Sequence, residues 1–123
     1  MKLQESGEMY LETIYVLSKS ISRVRAIDVA EKMGVSKPSV SRALGILRNA
    51  GYVDCDESLF LSLTEKGAEI AAKIYERHLV ISKLLEYIGV DGKTAEEDAC
   101  RVEHVISDDT FEKIKSFSEN LPK

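Results

Sequence analysis

Apolar positions recur at helical spacing over residues 8–19, where Met9, Leu11, Ile14, Tyr15, Val16 and Leu17 alternate with Glu8, Glu12 and Ser18, so a first helix is predicted there. Ser6 and Glu8 suit its N-terminus. Met9 and Glu12, three residues apart, lie close on its surface, although a methionine in such a stripe also serves as plain core packing. A short second helix is predicted over Ala26–Met33, with Ile27, Val29, Ala30 and Met33 inward and Gly34 as its C-cap. After the step Gly34-Val35-Ser36-Lys37, the stripe Val40, Ala43, Leu44 and Leu47 predicts a third helix over residues 38–51. Ser36 is its N-cap and Pro38 falls in its first turn.

Two short helices joined by a tight turn with a glycine form the helix-turn-helix pattern, though an ordinary helical hairpin with a polar outer face would share it. The β-prone runs 52–56 and 59–63, on either side of Asp56-Glu57-Ser58, predict a small hairpin directly afterwards. Helix-turn-helix followed by hairpin is the winged helix. A long helix then opens at the N-cap Thr64 and carries Ile70, Ile74, Leu79, Ile81, Leu84 and Leu85 to about Tyr87, with Gly89 as terminator. Thr94-Ala95-Glu96-Glu97 fits a capping box for a helix over 94–107, and Asp108-Asp109 caps a last one marked by Phe111, Ile114, Lys115 and Phe117. The expected fold is mainly α: a winged helix-turn-helix over residues 1–63, then an all-helical domain over 64–123.

Composition adds bounds. A 123-residue chain with 44% hydrophobic and 31% charged residues can bury a core, which sets disorder aside. No apolar run approaches a membrane span and the start lacks a signal-peptide core, so a cytoplasmic protein with no membrane partner is expected. In that compartment Cys55 and Cys100 are expected to be buried, catalytic or metal-bound thiols. Charge divides the chain. Residues 19–48 hold seven cations against two acids, whereas nine cations face thirteen acids from Thr64 onwards. A polyanion partner suits the first half and a cation the second. On the third helix Ser36, Lys37, Pro38, Ser39, Ser41 and Arg42, with Arg25 before the second, supply the small donors and cations that meet bases and phosphates.

Candidate metal chemistry collects at Cys100, Glu103 and His104, which at i, i+3 and i+4 share one helical face, with Glu96 and Glu97 one turn back. A thiolate, a carboxylate and an imidazole can hold a cation, loosely unless other parts of the chain close around it. Read without a metal, the same residues are a small core cysteine, a solvated acid and a hydrogen-bonded histidine. His78, midway along the long helix, reads alone as a structural histidine.

From Glu8-Met9-Tyr10-Leu11-Glu12 through Ser36-Lys37-Pro38-Ser39-Val40-Ser41 to Asp98-Ala99-Cys100-Arg101-Val102-Glu103-His104-Val105-Ile106-Ser107-Asp108, the chain resembles the diphtheria toxin repressor family of iron- and manganese-dependent regulators. The resemblance implies a homodimer that binds double-stranded operator DNA when a divalent metal is bound. It implies that Met9, Cys100, Glu103 and His104 form the iron-type primary site, and that Glu12 and His78 correspond to ligands of a second ion in manganese-type members. There are departures. Ser82 and Glu96 stand where iron-type members keep ancillary ligands, and the expected architecture is the shorter manganese type without the C-terminal SH3-like domain, unless these residues are a fragment of a longer protein. Manganese-type members in turn hold carboxylates where this chain has Met9 and Cys100.

Donor chemistry separates the metals further. A thioether and a thiolate favour Fe(II), Co(II), Ni(II) or Zn(II) over Mn(II), so an Fe(II) response is expected, even though Ni(II) and Zn(II) should bind as tightly in a test tube. Because ligation displaces protons from Cys100 and His104, binding should weaken as pH falls. The expected function is a metal-dependent transcriptional repressor, not an enzyme. A manganese- or zinc-responsive regulator of the same fold, or a winged helix sensing an organic ligand or thiol oxidation, is the alternative.

Overall fold

The computed structural model describes residues 5–121. Its first helix, α1 (Glu5–Ser20), begins three residues before the predicted start and buries Tyr10, Leu11, Ile14 and Leu17. α2 (Ala26–Met33) turns inward through Val29 and Ala30 and ends at Gly34, whose φ of 70° is the left-handed C-cap geometry that glycine adopts without strain. α3 (Lys37–Asn49) buries Val40, Leu44 and Leu47 and stops two residues short of the prediction, Ala50 being its C-cap. These stripes meet in one core in which Leu11, Ile14, Val29 and Val40 have no exposed surface.

The hairpin is shorter than its β-prone runs. β1 (Val53–Cys55) pairs antiparallel with β2 (Leu61–Leu63), Val53 opposite Leu63 and Cys55 opposite Leu61. The Asp56 carboxylate accepts the backbone N–H groups of Ser58 and Phe60, both at 2.9 Å, so the tip closes as an Asx turn rather than extending the ladder. Val24 joins as an isolated bridge, its carbonyl accepting Leu61 N–H at 2.7 Å. The unit is a winged helix-turn-helix.

α4 (Glu65–Tyr87) follows, capped by Thr64, whose hydroxyl accepts Gly67 N–H and donates to the Gly51 carbonyl. Contacts divide the chain inside α4, one unit reaching Ala72 and the other starting at Lys73. In the second unit α5 (Gly92–Val102) and α6 (Asp108–Glu119) are each capped three residues before a threonine: Asp91 before Thr94, and Ser107 before Thr110. Both predicted starts were displaced, by two residues and by one cap position, because an acceptor upstream was free to take the threonine N–H. The second core holds Ile81, Ala99 and Phe111 with Val102 and Ile106 beside them. Among the described residues no helix is long and apolar enough to cross a membrane.

Gly67 fixes how closely α4 approaches the hairpin. A Cβ there would stand 2.0 Å from the Tyr52 carbonyl oxygen, which is backbone and cannot turn aside. Gly67→Ala is therefore expected to destabilise the fold by about 3 kcal/mol, the upper range for an inserted methyl group. Urea denaturation should show a lower midpoint at unchanged slope. A midpoint equal to that of the parent chain would disprove the close approach.

Candidate metal centre and nucleic-acid interface

α5 ends at Val102, five residues before the predicted end, so Glu103 and His104 lie in a tightened turn instead of on a regular helix. The turn keeps near-helical backbone at Glu103 (φ −58°, ψ −24°) and then closes through i to i+3 bonds, His104 N–H to the Arg101 carbonyl and Val105 N–H to the Val102 carbonyl. Cys100 and Glu103 therefore still converge. His78 on α4 lies between them, its Nδ1 2.9 Å from Glu103 Oε2 and 3.7 Å from Cys100 Sγ. His104 Nε2 lies 3.3 Å from Oε1, the other oxygen of the same carboxylate.

Glu103 is wholly buried, while Cys100 is exposed and leaves the cluster reachable from solvent. Ligand atoms of His78, Cys100 and Glu103 all lie within 4.8 Å of one another. One sulfur, one imidazole nitrogen and one carboxylate oxygen at that spacing suit a divalent transition metal. Of the six candidate ligands the structure brings His78, Cys100 and Glu103 together in the second unit, with His104 beside the other oxygen of Glu103 and not within that group of three. Met9, exposed, and Glu12, half-buried, lie on α1 in the first. Glu96 and Glu97 are exposed on α5.

Electrostatics follow from this geometry. The Cys100 sulfur, then the Glu103 carboxylate, push the His78 imidazole up to about 10, against the opposing effect of burial. In the metal-free chain the imidazolium thus contributes stability that is complete below the ordinary value of 6.5 and is lost as pH rises through about 10.

Arg77, the neighbour of His78, holds the turn that carries Glu103. It is 6% exposed, and its guanidinium donates to the Glu103 carbonyl at 3.1 Å, to the Ile106 carbonyl at 2.9 Å and to the Asp108 carboxylate. It also lies over the Phe111 ring at 5.3 Å. The carbonyls left open where α5 ends are thereby satisfied by a buried cation, which the helix C-terminus favours. Sequence reasoning missed Arg77, yet a signal was present: with Ile74 three residues before and Ile81 four after, it occupies a core position of the α4 stripe.

The other candidate surface lies on α3. Ser36, Lys37, Pro38, Ser39, Ser41 and Arg42 are all exposed, as is Arg25 ahead of α2. The Ser36 hydroxyl accepts Ser39 N–H at 3.3 Å and donates to Ser39 Oγ at 2.9 Å, so these two serines are partly committed to each other at the helix start.

Family models match two stretches of the chain. Residues 2–59 match the family model described as the iron dependent repressor N-terminal DNA binding domain, and residues 64–123 match the iron dependent repressor metal binding and dimerisation domain. The chain is 37% identical to an uncharacterized HTH-type transcriptional regulator of Methanocaldococcus jannaschii, over 97% of both chains. It is 32% identical to the iron-dependent repressor IdeR of Mycobacterium tuberculosis, over 97% of this chain and 52% of that protein. The solved structure of the manganese regulator SloR superposes with a TM-score of 0.81 at 32% identity, covering 100% of this chain and 56% of that one. The chain thus spans about half the length of IdeR and SloR.

Proposed function

Since the chain belongs to the iron-dependent repressor family of metal-dependent transcriptional regulators, also called the diphtheria toxin repressor family, we propose that it senses Fe(II) and binds double-stranded operator DNA as a homodimer. The convergence of His78, Cys100 and Glu103 carries this reading, because a sulfur donor beside an imidazole and a buried carboxylate suits Fe(II) better than Mn(II). We assign Met9, Cys100, Glu103 and His104 to the metal, with Glu12 and His78 as further ligands. Residues 1–63 are assigned to DNA and 64–123 to metal binding and dimerisation. The protein is read as a cytoplasmic regulator.

When bound, a divalent cation supplies a concentrated positive charge with fixed bond directions. The chain's own residues do the rest. Glu103 Oε2 bonds His78 Nδ1, its Oε1 lies 3.3 Å from His104 Nε2, and His78 must give up its proton before its donor atom is available, while sulfur ligates as the thiolate. Met9 and Glu12 belong to the helix that supports the winged helix, so ligation by them couples metal occupancy to the placement of α3. A coupling of about 1–3 kcal/mol changes operator affinity roughly 5- to 150-fold. A two-fold dimer needs its recognition helices about 34 Å apart, or a multiple of that, to enter successive major grooves. Lys37, Arg42 and Arg25 supply phosphate affinity, and Ser36, Ser39 and Ser41, with Pro38, give short-range contacts.

A manganese response is the second reading, favoured by the likeness to SloR. Anaerobic titration of the purified chain with Fe(II), Mn(II), Co(II) and Zn(II), reading DNA affinity at each step, separates the two. Fe(II) should raise affinity at lower free concentration than Mn(II), and DNA binding indifferent to every metal and to chelator would refute a metal sensor.

A His78 proton held to about pH 10 must leave on ligation, so apparent Co(II) affinity should rise about tenfold per pH unit from pH 6 to 8 for each proton released. Calorimetry in buffers of different ionisation enthalpy counts those protons. A pH-independent dissociation constant would exclude His78 and Cys100 as ligands.

A further inference from the structure

We infer that Phe60 is a positioning residue that sets Arg23 and Arg25 as a pair of guanidiniums for adjacent phosphates of duplex DNA, a second contact beside α3. The inference rests on the DNA-binding reading above and deepens it. Three observations carry it, and all lie within the first unit.

The first is register. Val24 bridges to Leu61, and both are buried, at 2% and 8% exposure, so the residues flanking them face outward. Arg25 is then opposite Phe60, and Arg23 is its diagonal neighbour. The second is contact. The guanidinium carbons of Arg25 and Arg23 lie 4.6 Å and 5.3 Å from the centre of the Phe60 ring. One ring thus holds two exposed cations, which would repel each other if left to choose their own rotamers.

The third observation is what surrounds them. Among the described residues neither guanidinium forms an ion pair with a carboxylate. Asp28, the nearest acid in sequence, spends an oxygen on the Arg25 backbone N–H at 2.9 Å, and Asp56 spends one on two backbone N–H groups at the hairpin tip. Glu57 and Asp56 make that tip itself acidic, which disfavours its insertion into DNA and leaves the root of the hairpin as the cationic part. Two planar forks on one aromatic face, carried by exposed residues, present what phosphate oxygens take up.

Phosphate contacts carry no sequence information, so the test needs no known operator. The full chain, with saturating Co(II) present, is titrated with a mixed-sequence 30-base-pair duplex over a range of salt concentrations. Arg23→Ala and Arg25→Ala should each lower the slope of log affinity against log salt by about 0.9. Phe60→Leu, which keeps apolar bulk at a half-buried site, should weaken binding about fivefold, the size expected when two exposed guanidinium–ring contacts stop ordering their arginines. Phe60→Trp should bind as the parent does. In a chain already carrying R23A and R25A, Phe60→Leu should change nothing further. An equal loss in that background, or no loss in the parent, overturns the inference while leaving DNA binding intact. A parent chain that shows no salt-dependent affinity for the duplex overturns the DNA-binding reading, and this inference falls with it.

Discussion

Replacing Glu103 by Gln is expected to raise the dissociation constant for Co(II) or Fe(II) well beyond the ~10- to 100-fold that loss of a supporting group costs. Glu103 has no exposed surface, and its two oxygens lie against His78 and His104. An isosteric amide keeps the volume and can still accept from an imidazole N–H, but it removes the anion that makes the cluster attractive to a cation. The same substitution should also lower metal-free stability, by less than the ~3–5 kcal/mol that breaking a buried ion pair costs, because the amide can still bond the imidazole and the desolvation cost of the carboxylate is removed. The sulfur-to-Co(II) charge-transfer band follows affinity, and urea denaturation of the metal-free chain follows stability. A Co(II) constant within threefold of the parent value would remove Glu103 from the ligand set.

Much of this architecture was legible because one-sided stripes leave little choice. In α2 and α3, Val29, Ala30, Val40, Leu44 and Leu47 could be buried together in only one register, and Gly34 marked the turn between them. The convergence of Cys100 and Glu103 was legible too, even though α5 ends between them, because a tightened turn keeps residues three apart on one side. What escaped the sequence were competitions among polar groups. Asp91 outcompetes Thr94 as a cap, and Ser107 outcompetes Asp108, because in each case the upstream side chain reaches the N–H of a residue three further on. Asp108 is instead turned to Lys73 and Arg77, which hold its carboxyl below the usual carboxylate range. The stacking of Arg23 and Arg25 on Phe60 was hidden for a different reason: it depends on Val24 joining the hairpin, a bridge of one residue with no periodic signature.

Arg77→Met is expected to cost about 2–4 kcal/mol of folding stability, since each of two carbonyls left without its Arg77 donor costs about 1–3 kcal/mol and one of them is only part-buried. Without the guanidinium the Glu103 and Ile106 carbonyls lose the N–H groups that Arg77 gives them where α5 ends. Asp108 loses one cation but keeps Lys73 and solvent, being 67% exposed, so Asp108→Asn should have a much smaller effect than Arg77→Met. Lysine cannot replace arginine here, because one ammonium cannot reach two carbonyls and a carboxylate in the directions a planar fork supplies, so Arg77→Lys should fall between the two. The ordering distinguishes a clamp on the turn from a generic ion pair: Asp108→Asn matching Arg77→Met in urea midpoint would show that the salt bridge, not the carbonyl contacts, holds the fold. Because the turn presents Glu103, the Arg77→Lys chain should also bind Co(II) more weakly at temperatures where it is fully folded. Unaltered Co(II) affinity in that variant would separate the stability of the turn from the placement of its carboxylate.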